Sequence, residues 1–122
     1  MHVEKVMHLK EIQQAAFDLA KAKRLHENLA LIPLREQTLV RLALVHTEVS
    51  EAAQIIKRHG IQRDGDERTT QEFCIELADI VIRVCELAEH FALDLDAAVY
   101  DKLGKNWLRP PFYGTPWEGT DA

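Results

Sequence analysis

Three long windows of the chain carry apolar residues at spacings of three and four, the repeat of an amphipathic helix. In the first, residues 3–28, Val6, Leu9, Ile12, Ala16 and Leu19 fall on one side. Prolines occur only at 33, 110, 111 and 116, so nothing interrupts the windows, and Pro33 separates the first from the second. The second runs over 35–59, with Gly60 as a left-handed C′ residue and Lys57, Arg58 and His59 complementing the helix dipole. A polar loop, IQRDGDER, follows. Thr69 with Glu72 three residues later is a capping-box signal for a third helix reaching Phe91. A shorter fourth helix starts after Asp94, the expected N-cap, and ends near Asn106. Beyond it, WLRPPFYGTPWEGTDA holds too much Pro and Gly for regular structure. No segment alternates with period two. The expectation is all-α: an antiparallel helical bundle of about four helices, one domain over 1–122 with an irregular tail at 107–122.

On a wheel of about 100° per residue, Leu42, Val45, Val49, Ala52, Ala53, Ile55 and Ile56 cluster on one broad face of the second helix. Thr47, Ser50, Gln54, Lys57 and Arg58 take the other. Glu48 falls inside the apolar arc and Glu51 at its border. An ionised carboxylate buried alone costs several kcal/mol, so such a group is paired, neutralised or bound to a cation. The third helix supplies a counterpart. Glu72, Glu76, Asp79, Arg83, Glu86 and His90 form a narrow stripe there, and nearly everything else from Phe73 to Leu87 is apolar. The stripe faces either a strip of solvent or a polar cleft. Glu76 and Asp79 repeat the i, i+3 geometry of Glu48 and Glu51, about 5–6 Å between Cβ atoms. Antiparallel packing of the two helices lets the pairs converge.

Clustered carboxylates repel unless hard cations sit among them. An oxygen-only donor set suits Mg²⁺ or Mn²⁺ rather than zinc or copper. The sequence argues against a ferritin-like di-iron centre, which needs Glu-x-x-His, because none of His8, His26, His46, His59 or His90 has Glu three residues before it.

Composition narrows the partners. A net charge of −5 argues against a nucleic-acid duplex, which needs a basic surface. No apolar run approaches the ~18 residues of a membrane span. The N-terminus, MHVEKVMHLKEIQQ, carries acidic residues and no continuous apolar stretch, which argues against a secretory signal and for a cytoplasmic location. Cys74 and Cys85 fall on one predicted helix about 16 Å apart, beyond disulfide reach, and read as core thiols.

These residues resemble the all-α nucleoside triphosphate pyrophosphohydrolases, the MazG-like and dCTP pyrophosphatase group. The signature is ExxE on one helix and ExxD on the next; here Glu48-x-x-Glu51 precedes Glu76-x-x-Asp79 by 24 residues. ELADIVIRVCELA looks like the family's ExxD helix, and LDLDAAVYDKLGKNWLRPPFYG is similar to its closing segment, with K-x-x-x-N-x-x-R at 102–109. The match covers residues 40–114. The resemblance implies Mg²⁺ on Glu48, Glu51, Glu76 and Asp79, and the triphosphate on Lys102, Asn106 and Arg109. It implies hydrolysis of a nucleoside triphosphate to monophosphate and pyrophosphate in nucleotide-pool cleansing. Glu51, at the edge of the arc, is the expected base that takes the proton of the attacking water. Thr47 departs from the pattern, standing where many members have a further Glu.

Trp107, Phe112, Tyr113, Trp117, Phe17 and His46 are available to stack on a base, with Phe17 and Phe73 favoured as core and His46 as surface or interface. A third helix apolar on most sides demands cover from a second subunit, so a homodimer or homotetramer is expected, as in the family. The competing reading is a non-catalytic helical interaction module whose acidic stripe is solvated surface.

Overall fold

A computed structural model describes residues 8–60 and 67–111. Among them are four α-helices and no strand: α1 (Leu9–Ala22), α2 (Leu34–His59), α3 (Glu67–His90) and α4 (Leu95–Leu108), with a 3₁₀ segment (Glu27–Leu31) between α1 and α2. The chain is all-α, as its periodicity predicts. No helix of the described residues is long and apolar enough to cross a membrane. Phe112, Tyr113 and Trp117, offered above for base stacking, lie outside the described residues, as do Val3 and Val6.

Several helix ends follow the local chemistry. Gly60 closes α2 at φ +67° and donates its N–H to the Ile56 carbonyl. Asp94 caps α4, its Oδ1 accepting from the Ala97 N–H at 3.0 Å. Other ends differ from expectation. The first helix stops at Ala22 rather than Asn28, because Arg24 turns left-handed at φ +55° and the Leu25 N–H reaches back to the Ala20 carbonyl. That is the Schellman closure without a glycine to announce it. Ala92 (φ +52°) ends α3 the same way, with the Leu93 N–H on the Ala88 carbonyl. Thr69 is not an N-cap: α3 is already helical at Glu67, and Thr69 is buried inside it.

α3 is the central element, packed against both α1 and α2, while α4 leans on α1. Arg41 meets Glu86 and Glu48 meets Arg83, so α2 and α3 run antiparallel. Gln13 meets Glu89, and Leu19 and Ala20 share a cavity with Ile82 and Arg83, so α1 is antiparallel to α3 as well. α1 and α2 therefore point the same way, a departure from the simple up-and-down order, and residues 23–33 make the return.

The seams are built from small residues. Ala16, Ala20, Ala52, Cys85 and Ala88 are the buried apolar side chains among the described residues, and they let the helix backbones approach closely. Gln13, only 1% exposed, pins α1 to the α3–α4 turn: its Nε2 donates to the Leu93 carbonyl at 2.9 Å and its Oε1 accepts from the Leu95 N–H at 3.1 Å. Burial pushes the Cys85 thiol pKa up. Cys74 is exposed rather than a core thiol, because α3 turns that side away from α1 and α2. Ile75, Leu77, Val81 and Val84 share that exposure, Ile75 at 62%.

Candidate metal centre

Helix α2 presents Arg41, Val45, Glu48, Ala52, Ile55 and Ile56 inward, each buried or half-buried. Val45, Ala52, Ile55 and Ile56 of the predicted arc lie on this seam with Glu48 among them, whereas Leu42, Val49 and Ala53 of that arc are exposed, and Glu51 lies exposed at the seam's edge. From α3 the inward side is the polar stripe itself. Glu72, Glu76, Asp79, Arg83 and His90 are half-buried and Glu86 is buried, so the stripe faces a polar cleft between helices and not a strip of solvent.

The cleft brings three of the four predicted metal ligands together. One carboxylate oxygen from each of Glu48, Glu76 and Asp79 lies within 4.8 Å of the others. Glu51 is not part of that trio but lines the same cavity, about 320 Å³, with Glu48, Asp79, Arg83 and Glu86. Glu76 Oε2 is buried with no hydrogen-bond partner. A buried carboxylate oxygen left bare is costly, and a bound cation is one partner that removes the cost. The donor set fits a hard divalent ion: all oxygen, and a spread close to the about 4 Å that two oxygens span across a Mg²⁺ ion. Arg83, from α3, donates its Nε to Glu48 Oε1 at 3.3 Å.

Lys102, Asn106 and Arg109 are not among the residues lining this cavity. Lys102 and Asn106 lie on α4 and Arg109 just beyond its end; Lys102 and Arg109 are exposed, and Asn106 is half-buried with its Oδ1 lacking a partner. α4 packs on α1, and none of the three lines the carboxylate cavity among the described residues. His46 is exposed, and Phe17 is half-buried.

A second charged cluster escaped the sequence reading. Arg41 Nη1 lies 3.4 Å from Glu86 Oε1, and His26 Nε2 abuts the same oxygen from the connection between α1 and α2. Glu86 is 4% exposed. Burial holds the Arg41 guanidinium below its ordinary pKa, with Glu86 acting in the opposite sense. His90 is also pushed down, first by burial and then by Arg41 and His26, against the upward pull of Glu86. The available signal was charge complementarity: Arg41 and Glu48 on one helix, Arg83 and Glu86 on the next, in reversed order, match an antiparallel pair.

Those residues floor a cavity of about 370 Å³, lined also by Phe17, Ala20, Lys21 and Arg24. It adjoins the carboxylate cavity at Ala20 and Glu86, which line both. Comparison with known proteins assigns no family to the chain, since neither a family model nor a curated protein matches it.

Proposed function

We propose that the chain is a Mg²⁺-dependent nucleoside triphosphate pyrophosphohydrolase, releasing pyrophosphate and a nucleoside monophosphate. The observation that carries this reading is the convergence of Glu48, Glu76 and Asp79 on one point, beside a cavity that Glu51 also lines. Glu48, Glu76 and Asp79 hold the ion, with Mn²⁺ as a substitute. Bound Mg²⁺ supplies charge neutralisation on the phosphates and lowers the pKa of nearby water. Glu51, exposed at the cavity edge, has room to take a proton from the attacking water. The adjoining cavity, with the Phe17 ring on its wall and the Arg41–Glu86 pair at its floor, has the size and mixed polarity a nucleobase needs.

Lys102, Asn106 and Arg109 reach the triphosphate in this reading only in an oligomer, where the exposed apolar residues of α3 are covered by a second copy. Purified protein mixed with a panel of deoxynucleoside triphosphates and Mg²⁺ should release pyrophosphate, stop with EDTA, and lose about 10²-fold or more in kcat as Glu51→Gln, the cost of removing a general base. A protein that releases none from any nucleotide, and whose melting temperature ignores Mg²⁺, is the interaction module instead.

A further inference from the structure

The Arg83–Glu48 ion pair bridges α3 and α2 at the rim of the carboxylate trio. It is not an ordinary surface bridge, since the Glu48 side chain is only 12% exposed and that of Arg83 28%. Nor does it neutralise the trio. Arg83 donates to Glu48, while the buried Glu76 Oε2 goes without a partner. The reason is shape: a guanidinium is a broad plane carrying one charge, which docks on the side of a carboxylate, whereas a small divalent ion sits among several oxygens at once.

We infer that Arg83 is a tethered counter-ion, which occupies Glu48 while the divalent ion is absent, is displaced when that ion binds, and then holds the phosphates of the substrate. This rests on the pyrophosphohydrolase reading. The ion and the guanidinium compete for one carboxylate, and the doubly charged, smaller ion contacts all three. Once displaced, Arg83 still lines the cavity. With Glu48, Glu76 and Asp79 taken up by the ion and Glu86 paired to Arg41, Glu51 and the phosphate chain are the anions left in the cavity, and the guanidinium fork matches phosphate oxygens in a bidentate way. Arg83 lies four residues after Asp79 on α3, yet its ion pair is made across helices, to Glu48.

The test is a calorimetric Mg²⁺ titration without nucleotide, followed by steady-state kinetics, on the wild type, Arg83→Gln, Arg83→Lys and Lys57→Gln. Lys57, in the last turn of α2, is an exposed control for net charge. Arg83→Gln should bind Mg²⁺ about three- to tenfold more tightly, the scale of a lost competing ion pair. Its KM for nucleotide should rise about tenfold or more, with a smaller change in kcat, for loss of a charge-assisted phosphate contact. Arg83→Lys should fall between, and Lys57→Gln should match the wild type in both. Unchanged or weaker Mg²⁺ binding in Arg83→Gln overturns the proposal, and tighter Mg²⁺ binding with unchanged KM overturns its phosphate-holding half. If Arg83→Gln binds Mg²⁺ more tightly yet no protein hydrolyses any nucleotide, the counter-ion role stands and the pyrophosphohydrolase reading fails. Absence of Mg²⁺ binding in every variant overturns both.

Discussion

Glu76→Gln should make the metal-free protein more stable, and by more than Glu48→Gln does. The oxygens of Glu48, Glu76 and Asp79 lie within 4.8 Å of one another. At that distance two unit charges repel by about 0.9 kcal/mol in water-like surroundings and by about 3.5 kcal/mol at an effective dielectric of about 20. Glu76 feels two such neighbours and its inner oxygen has no compensating donor. Glu48 also feels two, Glu76 and Asp79, but is held by Arg83 at 3.3 Å. That attraction is worth about 1.3 kcal/mol in water-like surroundings and about 5 at the lower dielectric. The carboxylates are half-buried, so screening keeps the real values near the lower figures. Replacing Glu76 then stabilises by about 1–2 kcal/mol, while replacing Glu48 relieves repulsion and loses an ion pair in nearly equal measure.

Urea unfolding in EDTA, followed by circular dichroism, reads this difference as about half to one molar in midpoint. Adding Mg²⁺ should invert the order. The wild type gains about 2.7 kcal/mol at a hundred times its dissociation constant, and both variants gain little, having lost a ligand. A Glu76→Gln protein less stable than Glu48→Gln without metal would falsify the electrostatic picture of the cleft.

Two further outcomes follow from other parts of the fold. His90 has its pKa lowered in the folded state by burial, Arg41 and His26, against Glu86, so the folded protein favours the neutral ring. The unfolded chain binds more protons below its ordinary value of about 6.5, so stability is full above that pH and declines as pH falls beneath it. The decline is no steeper than about 1.4 kcal/mol per pH unit, and urea midpoints of His90→Gln between pH 5 and 7 should lack it. Gln13→Ala strands the Leu95 N–H and the Leu93 carbonyl at the α3–α4 turn. It should cost about 2–4 kcal/mol in thermal or urea unfolding, and a change under half a kcal/mol would show that water replaces the amide.

Helices, their order and the position of Glu48 were legible because each rests on a local repeat. Apolar spacing sets the helices, Gly60 and Asp94 mark ends, and the wheel places a carboxylate in an apolar arc. Where backbone closure comes from Arg24 and Ala92 in left-handed conformations, no residue type announces it, and the apolar pattern of the first helix runs on past its end at Ala22. Gln13 is equally silent in the sequence. A polar side chain between apolar ones on α1 looks like surface until the turn it satisfies is known.

The harder lesson concerns which side of α3 is inside. Hydrophobicity alone would bury Ile75, Leu77, Val81 and Val84 and expose the stripe; the fold does the reverse, exposing those four side chains and turning Glu76, Asp79, Arg83 and Glu86 toward α1 and α2. Burying charge costs several kcal/mol per ion unless partners offset it, so a stripe selected only for stability would be apolar. Arg41 offsets Glu86 and Arg83 offsets Glu48, each across the α2–α3 seam. Glu76 and Asp79 have no basic side chain in ion-pair contact among the described residues, and Glu51 lines the same cavity as Asp79. The uncompensated charge is thus confined to one end of the stripe, where the carboxylate trio sits, while the other end is balanced. A seam that is neutralised along half its length and left anionic along the rest is what the proposed metal site requires. The apolar side of α3 poses the complementary demand, for a surface that covers it, and a second copy of the chain would meet that demand.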